Sequence, residues 1–261
     1  VYRFLLILLI STYLESASPP FFVLTMPKGG TSMINEAIRH LSQKKTTTHP
    51  KRGLEIKKET YNLFNQDATG QLEKGDSYLF QHLIAGPFYQ ELCQEREDLV
   101  GIIHIRDLRD VLIANVYSKW DKMGNLLGNE ASFDTRLLYA IQYPEFMENH
   151  NTYLNAKRAV PFLKDKTILV TRFEELVGEK GGGSDRLQRE TLLKIVNHLH
   201  LTRSKEILKE IKETLFGSTV TFRKGQIGEW KTHFKQIHKD AFKEKYGDLL
   251  IEMGYEKDNN W

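Results

Sequence analysis

A single cysteine, Cys93, stands in 261 residues. One thiol cannot close an intrachain disulfide, and it leaves no set of thiolates to hold a metal. The nine histidines show no ligand spacing beside a carboxylate or thiol, so the sequence predicts no structural metal. Excess charge is lacking too: 37 basic against 34 acidic residues leave a net charge of +3. That excludes a global electrostatic case for nucleic acid, although clustered cations can still focus a field on one anion. Long apolar runs are missing as well. Arg3 precedes Phe4-Leu5-Leu6-Ile7-Leu8-Leu9-Ile10, which fades by Leu14 and falls short of the roughly 20 apolar residues that a spanning helix needs. With Ser16-Ala17-Ser18 behind it, the run fits the h-region and small-residue cleavage site of a signal peptide. An anchor or a buried leading segment fits the same pattern. Residues 1–18 are therefore read as a signal-like or anchoring segment, with export or membrane association as its consequence.

What is present reads as one α/β domain over residues 19–261. A hydrophobic fraction of 40% with 27% charged residues is that of a globular chain with a core of its own. After Pro19-Pro20, strand-like and helix-like patterns alternate. Phe21-Phe22-Val23-Leu24 is a continuous apolar run of the kind buried on both faces of a sheet. Met33, Ile34, Ala37, Ile38 and Leu41 then recur at helical spacing. Residues 42–58, rich in Lys and Thr, read as a loop. Strands are expected at 77–82, 100–105 and 167–171. Helices are expected at 87–94, from Asp107 toward Trp120, and at 188–199. Strands separated by helices imply a mainly parallel sheet in three layers, with helices on both faces. Gly181-Gly182-Gly183-Ser184 is too brief for a linker and reads as a surface loop.

Three segments carry chemistry. The first is Pro27-Lys28-Gly29-Gly30-Thr31-Ser32, where a strand gives way to a helix. Glycines let a loop wrap an anion with its amides, Thr31 and Ser32 add hydroxyls, and Lys28 adds a point charge. A tight turn without ligand explains the hexapeptide equally well by itself. It is not a Walker A loop, because its Lys precedes both glycines. The second is Ile105-Arg106-Asp107-Leu108-Arg109-Asp110-Val111. Arg106 falls at a strand end on the same edge of the sheet, where a guanidinium can fork onto a phosphate. Asp107 can cap the next helix, while Arg109 and Asp110 read as a solvated or locally ion-paired helix start. The third is Phe222-Arg223-Lys224-Gly225-Gln226-Ile227-Gly228-Glu229-Trp230-Lys231. Its cations, glycines and aromatics have no core periodicity and suit an anion-clasping loop.

In order, spacing and wording these segments resemble the sulfotransferase family that uses 3′-phosphoadenosine 5′-phosphosulfate. Phe173-Glu174-Glu175-Leu176 matches the family after its fourth strand. The loop at 181–184 and the ending Leu250-Ile251-Glu252-Met253-Gly254-Tyr255 resemble soluble bacterial members. The resemblance spans residues 21–261 and implies a fold like that of P-loop NTPases. It further implies transfer of a sulfuryl group to a hydroxyl or amine, without a metal. Lys28 would stabilise the leaving oxygen, and Gly29, Gly30, Thr31 and Ser32 would cradle the 5′-phosphate. Arg106, Arg223, Lys224 and Gly225, with Phe222 beside them, would hold the 3′-phosphate end. His82, in Phe80-Gln81-His82-Leu83, would be the general base, a role suited to neutral imidazole near pH 7. His104 is left as structural.

The match has gaps. The family's phosphate-gripping serine falls on Ala114, with Ser118 one turn further on. Its adenine-stacking Trp falls on Met33, and a lysine near its base falls on Phe80. Of its dimer signature Lys231 and Asp240 remain, while the centre reads Lys235-Gln236. These changes bear on donor affinity and oligomeric state. A P-loop kinase or NTPase is the rival reading, with Asp107 as a metal-holding carboxylate. A catalytically weak nucleotide-binding relative is another. The acceptor, whether a small molecule, glycan or lipid, is expected to meet residues 44–76 and 139–153, since loops at the ligand edge vary with substrate.

Overall fold

Phe21–Thr25 forms β1, and all five residues are buried. Phe22 and Leu24 belong to one apolar layer, Phe21 and Val23 to another. That alternation is what a strand covered on both faces must show. The structure, a computed structural model, describes residues 18–48, 77–83, 86–202, 205–217 and 222–261. The signal-like segment, apart from its last residue, lies outside them.

Four more strands join β1: β2 (Lys45–Thr48), β3 (Ser77–His82), β4 (Val100–Ile105) and β5 (Ile168–Arg172). All are parallel, in the order β2-β3-β1-β4-β5. The strands expected at 77–82 and 100–105 keep those bounds, and the one expected at 167–171 shifts by one residue. β2 corrects the loop reading at residues 45–48, and residues 49–58 of that stretch lie outside the described residues. Its threonines are good strand formers on the sheet's edge, where Lys45 also protects against stray pairing. A strand there needs no apolar run, so hydrophobicity did not reveal it.

The helices run in chain order as α1 (Thr31–Ser42), α2 (Gly86–Glu95), α3 (Leu108–Ser118), α4 (Trp120–Leu127) and α5 (Phe133–Gln142). A 3₁₀ turn at Pro144–His150 leads to α6 (Thr152–Lys164). Then come α7 (Phe173–Leu176), α8 (Asp185–His198), α9 (Lys205–Thr214), α10 (Trp230–His233) and α11 (Gln236–Glu252). Ile34 and Ile38 of α1, Leu192 and Ile195 of α8, and Ile211 of α9 share the layer of Phe21 and Val23. Leu112, Leu137, Ala156, Phe162 and Phe242 share the layer of Phe22 and Leu24. Helices thus cover both faces of the sheet. The helix expected from Asp107 toward Trp120 breaks at Lys119, whose φ of −114° and ψ of 19° separate α3 from α4. No helix among the described residues is long and apolar enough to cross a membrane.

The register positions the site. Thr25 on β1 pairs with His82 on β3 and with His104 on β4. The carboxyl ends of three neighbouring strands therefore lie level, the edge at which open α/β sheets take ligands.

Candidate functional site

The phosphate loop is fixed by its own backbone. Gly29 N–H donates to the Met26 carbonyl at 2.9 Å, closing the turn after β1. Gly30 is the N-cap of α1 with φ 94°. A Cβ there would lie 2.7 Å from the Phe173 ring and 3.1 Å from His104 Nε2, so glycine is required for space as well as for angle. Lys28 has φ 63°, a conformation that costs a residue with a side chain about 1–2 kcal/mol. No side chain caps α1. The first-turn amides have no acceptor one turn back, which is the usual basis for anion binding at a helix start.

Beneath the loop, His104 is fully buried, with Nδ1 3.0 Å from Thr171 Oγ1. Burial, then the charge of Arg106, lower its pKa to about 3. It stays neutral and supports the turn, as expected of a structural residue. Lys28 is half-buried, and burial followed by the neighbouring Lys119 ammonium lowers its pKa.

His82 is tied to the loop by a short chain of hydroxyls. Its Nδ1 lies 3.0 Å from Thr25 Oγ1, which lies 3.1 Å from Thr31 Oγ1. Thr31 Oγ1 in turn donates to the Met26 carbonyl at 3.2 Å. Each hydroxyl has one proton. Thr31 gives its own to the carbonyl, so Thr25 donates to Thr31 and must accept from His82. That assigns the proton to Nδ1 and makes Nε2 the basic nitrogen of the ring. Composition and spacing gave no warning of Thr25, although its hydroxyl at the end of an apolar strand was visible.

Arg106 joins the first loop to the last. Buried at 7% exposure, it donates from Nη2 to the Gln226 carbonyl at 2.8 Å and from Nη1 to the Lys28 carbonyl at 3.4 Å. Asp110 lies 3.6 Å away, and the guanidinium sits 4.1 Å over the Phe173 ring. Its Nε is buried without a partner, a donor left over where an anion is expected.

Arg109 and Asp110 are buried, which corrects the solvated alternative for this helix start, while the locally ion-paired one holds: Arg109 meets Asp107, and Asp110 meets Arg106. Arg109 pairs with Asp107 and with Glu256, each at 2.7 Å, and stacks on Trp230 and Trp261. Asp110 accepts from the Gly228 and Trp230 amides at 2.8 and 2.9 Å, pinning the last motif to α3. Burial raises its pKa, against the pull of Arg106 and those amides. Asp107 caps α3 as expected, and Arg109 takes up both its oxygens. That carboxylate is committed to a guanidinium, which weakens the kinase reading. Among the described residues, no group of three or more His, Cys, Asp or Glu is placed to hold a metal.

The last motif is held by side-chain charge. Arg223 forms an ion pair with Glu229, Lys224 reaches the same carboxylate at 3.1 Å, and His233 lies 3.5 Å from it. Burial would raise the Glu229 pKa, but Arg223 and Lys224 outweigh it and hold the carboxyl at about 2. Arg223 also sits 4.3 Å over the Tyr117 ring. Two cations on one carboxylate leave a net positive charge for a ligand. Gly225 has φ 61°, and Phe222 is exposed against Phe216. Ile227 N–H donates to the Gly181 carbonyl, and Gln226 Nε2 to the Lys180 carbonyl, at 3.0 and 2.9 Å. The glycine loop at 181–184 thus braces the motif, a role the sequence did not disclose.

The structure brings Lys28, Gly29, Gly30, Thr31, Ser32, His82 and Arg106 to one edge, and Gln226 links the last motif to them. Met33 is placed differently from an adenine platform: at 8% exposure it belongs to the apolar layer of Phe21 and Val23. Ala114 is half-buried on α3, and Ser118 donates to the Asn115 carbonyl at 3.2 Å. Phe80, where the resemblance has a lysine, is buried in an edge contact with Tyr78.

The family model described as the sulfotransferase domain matches residues 18–254. Mouse sulfotransferase SULT7A1 complexed with PAP superposes with a TM-score of 0.62 at 16% identity, covering 91% of this chain and 86% of its own. A sulfotransferase from Alicyclobacillus acidocaldarius gives 0.46 at 15% identity, covering 92% and 95%. No curated protein matches the sequence.

Proposed function

The chain belongs to the sulfotransferase domain family, and on that premise we propose that it moves a sulfuryl group from 3′-phosphoadenosine 5′-phosphosulfate to a hydroxyl or amine of a small-molecule, glycan or lipid acceptor. The observation that carries this reading is the chain His82–Thr25–Thr31, which couples an imidazole, oriented through its Nδ1, to a phosphate loop. Nε2 of His82 takes the acceptor's proton as the new oxygen–sulfur or nitrogen–sulfur bond forms. The bond from sulfur to the 5′-phosphate oxygen breaks in line with it. Lys28 offsets the charge that develops on that oxygen, and loop amides with Thr31 and Ser32 hold the phosphate. Arg106 and the Arg223-Lys224-Gly225 segment hold the 3′-phosphate. The donor set fits such a bisphosphate, with one buried Arg106 nitrogen unpaired and a net positive charge around Glu229. The PAP in the mouse structure is the product this chemistry would release.

Calorimetric titration with 3′-phosphoadenosine 5′-phosphate and with ATP, each without added magnesium, tests the donor. Binding of the first and not of ATP is expected. The reverse would overturn the reading in favour of a kinase. A non-catalytic nucleotide binder draws some support from buried Met33 and from Ala114. His82→Ala separates the two: transfer falls by about 10²–10⁴ with donor binding kept if the histidine is the base. A wild-type chain that binds the nucleotide and transfers to no acceptor would favour the non-catalytic reading.

A further inference from the structure

α3 ends beside the last motif, and one exposed ring makes the join. Tyr117, in the last turn of α3, has the Arg223 guanidinium 4.3 Å over its ring. Arg223 donates from Nη1 to Glu229 Oε1 at 2.9 Å, and its Nη2 pairs with Oε2 of the same carboxylate. His233 lies 3.5 Å from Glu229 and makes an edge contact with the Tyr117 ring, their centroids 6.1 Å apart. Contacts thus run in a closed circuit from Tyr117 through Arg223, Glu229 and His233 back to Tyr117. The ring is backed from α4 and α5. Phe133 packs against it at 5.0 Å, and Trp120 stacks beside it at 6.4 Å. Trp120 is itself held by buried Arg136, 3.9 Å over its indole.

The two partners of Arg223 hold it in different ways. Glu229 takes N–H groups, so it competes with any phosphate for the same donors. Tyr117 attracts the cation through its ring and takes no N–H in a hydrogen bond. A guanidinium has five N–H donors, and stacking leaves them all for acceptors. When a phosphate displaces the carboxylate, the ring still holds the cation. The place of Tyr117 on α3 fits the task. Ala114, where the resemblance has a phosphate-gripping serine, lies three residues earlier on the same helix face. Its methyl group donates nothing, so more of the grip falls on the neighbouring cation.

We propose that Tyr117 is a positioning residue for the 3′-phosphate of the donor, holding the Arg223 guanidinium in place while the Glu229 carboxylate gives way to the phosphate. This rests on the donor reading above, in which Arg223 takes that phosphate. The ring acts through Arg223 and not on the transferred group. It raises selectivity for a 3′-phosphorylated nucleotide because less side-chain freedom is lost when the phosphate binds.

Calorimetry on the full chain compares adenosine 3′,5′-bisphosphate with adenosine 5′-phosphate, which lacks the 3′ group. Tyr117→Leu and Tyr117→Met keep an apolar side chain against Phe133. Both should weaken the bisphosphate about fivefold, the scale of one partly exposed cation–π contact. Both should leave the monophosphate unchanged. Tyr117→Phe should restore bisphosphate affinity to within about twofold, because the ring and not the hydroxyl holds the cation. Added to Arg223→Ala, Tyr117→Leu should cost no further affinity, since it acts through that cation. Thermal unfolding is expected to be the same for the three single variants, so a loss of fold would be seen directly. Unchanged bisphosphate affinity in Tyr117→Leu would overturn the proposal, as would equal weakening of both nucleotides. So would a Tyr117→Phe variant as weak as Tyr117→Leu, or a full second loss in the Arg223→Ala background. A wild-type chain that binds the two nucleotides equally, or neither, would instead bring down the donor reading.

Discussion

The two halves of the proposed nucleotide clamp are built by different means. The loop after β1 is fixed by backbone: Gly29 closes a turn on Met26, and Gly30 has no room for a Cβ. The segment from Phe222 to Trp230 is fixed by charge, with Arg223 and Lys224 gathered on Glu229 and the Gly228 and Trp230 amides gathered on Asp110. The first half is preorganised, so an anion meets amides already in place. In the second, an anion competes with a carboxylate for exposed cations. The first half should therefore respond to shape, and the second to pH and salt.

Gly30→Ala puts the largest strain on this distinction. A methyl group at φ 94° meets the Phe173 ring at 2.7 Å and His104 at 3.1 Å. Strain and overpacking together should cost about 2–4 kcal/mol, read as a lower Tm in calorimetry and as loss of bisphosphate binding. A stable variant that still binds would show that the loop is not set by its backbone. Thr25→Val comes next. It removes the acceptor of His82 Nδ1, a bond worth about 0.5–1.5 kcal/mol, so turnover should fall about threefold to tenfold with nucleotide affinity kept. Equal losses in both would place Thr25 in binding rather than in orienting the imidazole.

Glu229→Gln should have the smallest effect and the one most dependent on conditions. The Glu229 pKa is depressed from 4.5 to about 2 in the folded chain. Its stabilisation is therefore present above about pH 4.5 and is lost as pH falls toward about 2. The variant should flatten the acid limb of a stability-against-pH curve. Freed of the carboxylate, Arg223 and Lys224 should also bind the bisphosphate about twofold to fivefold tighter at low salt, an advantage that added salt removes. An unchanged acid limb would show that the motif does not depend on this carboxylate.

Legibility followed the same physics. β1 and β4 were readable because a strand covered on both faces is largely apolar along its length. β2 was not, because an edge strand of lysine and threonine carries no such signature. Arg109 and Asp110 were legible as ion-paired with Asp107 and Arg106 but not as buried, because their other partners lie far along the chain: Glu256 for one, the Gly228 and Trp230 amides for the other. Burial of a charge depends on what meets it, and local sequence does not record the meeting.

The sequence by itself determined the alternation of strands and helices, the glycines that a tight loop requires, and the residue types an anion needs, since these follow from local sterics and chemistry. Tertiary structure alone decided that His82, Thr25 and Thr31 form one hydrogen-bonded chain and that Glu229 holds both late cations. Each of these depends on strand register or helix packing between distant segments, where burial and charge act through space rather than along the chain.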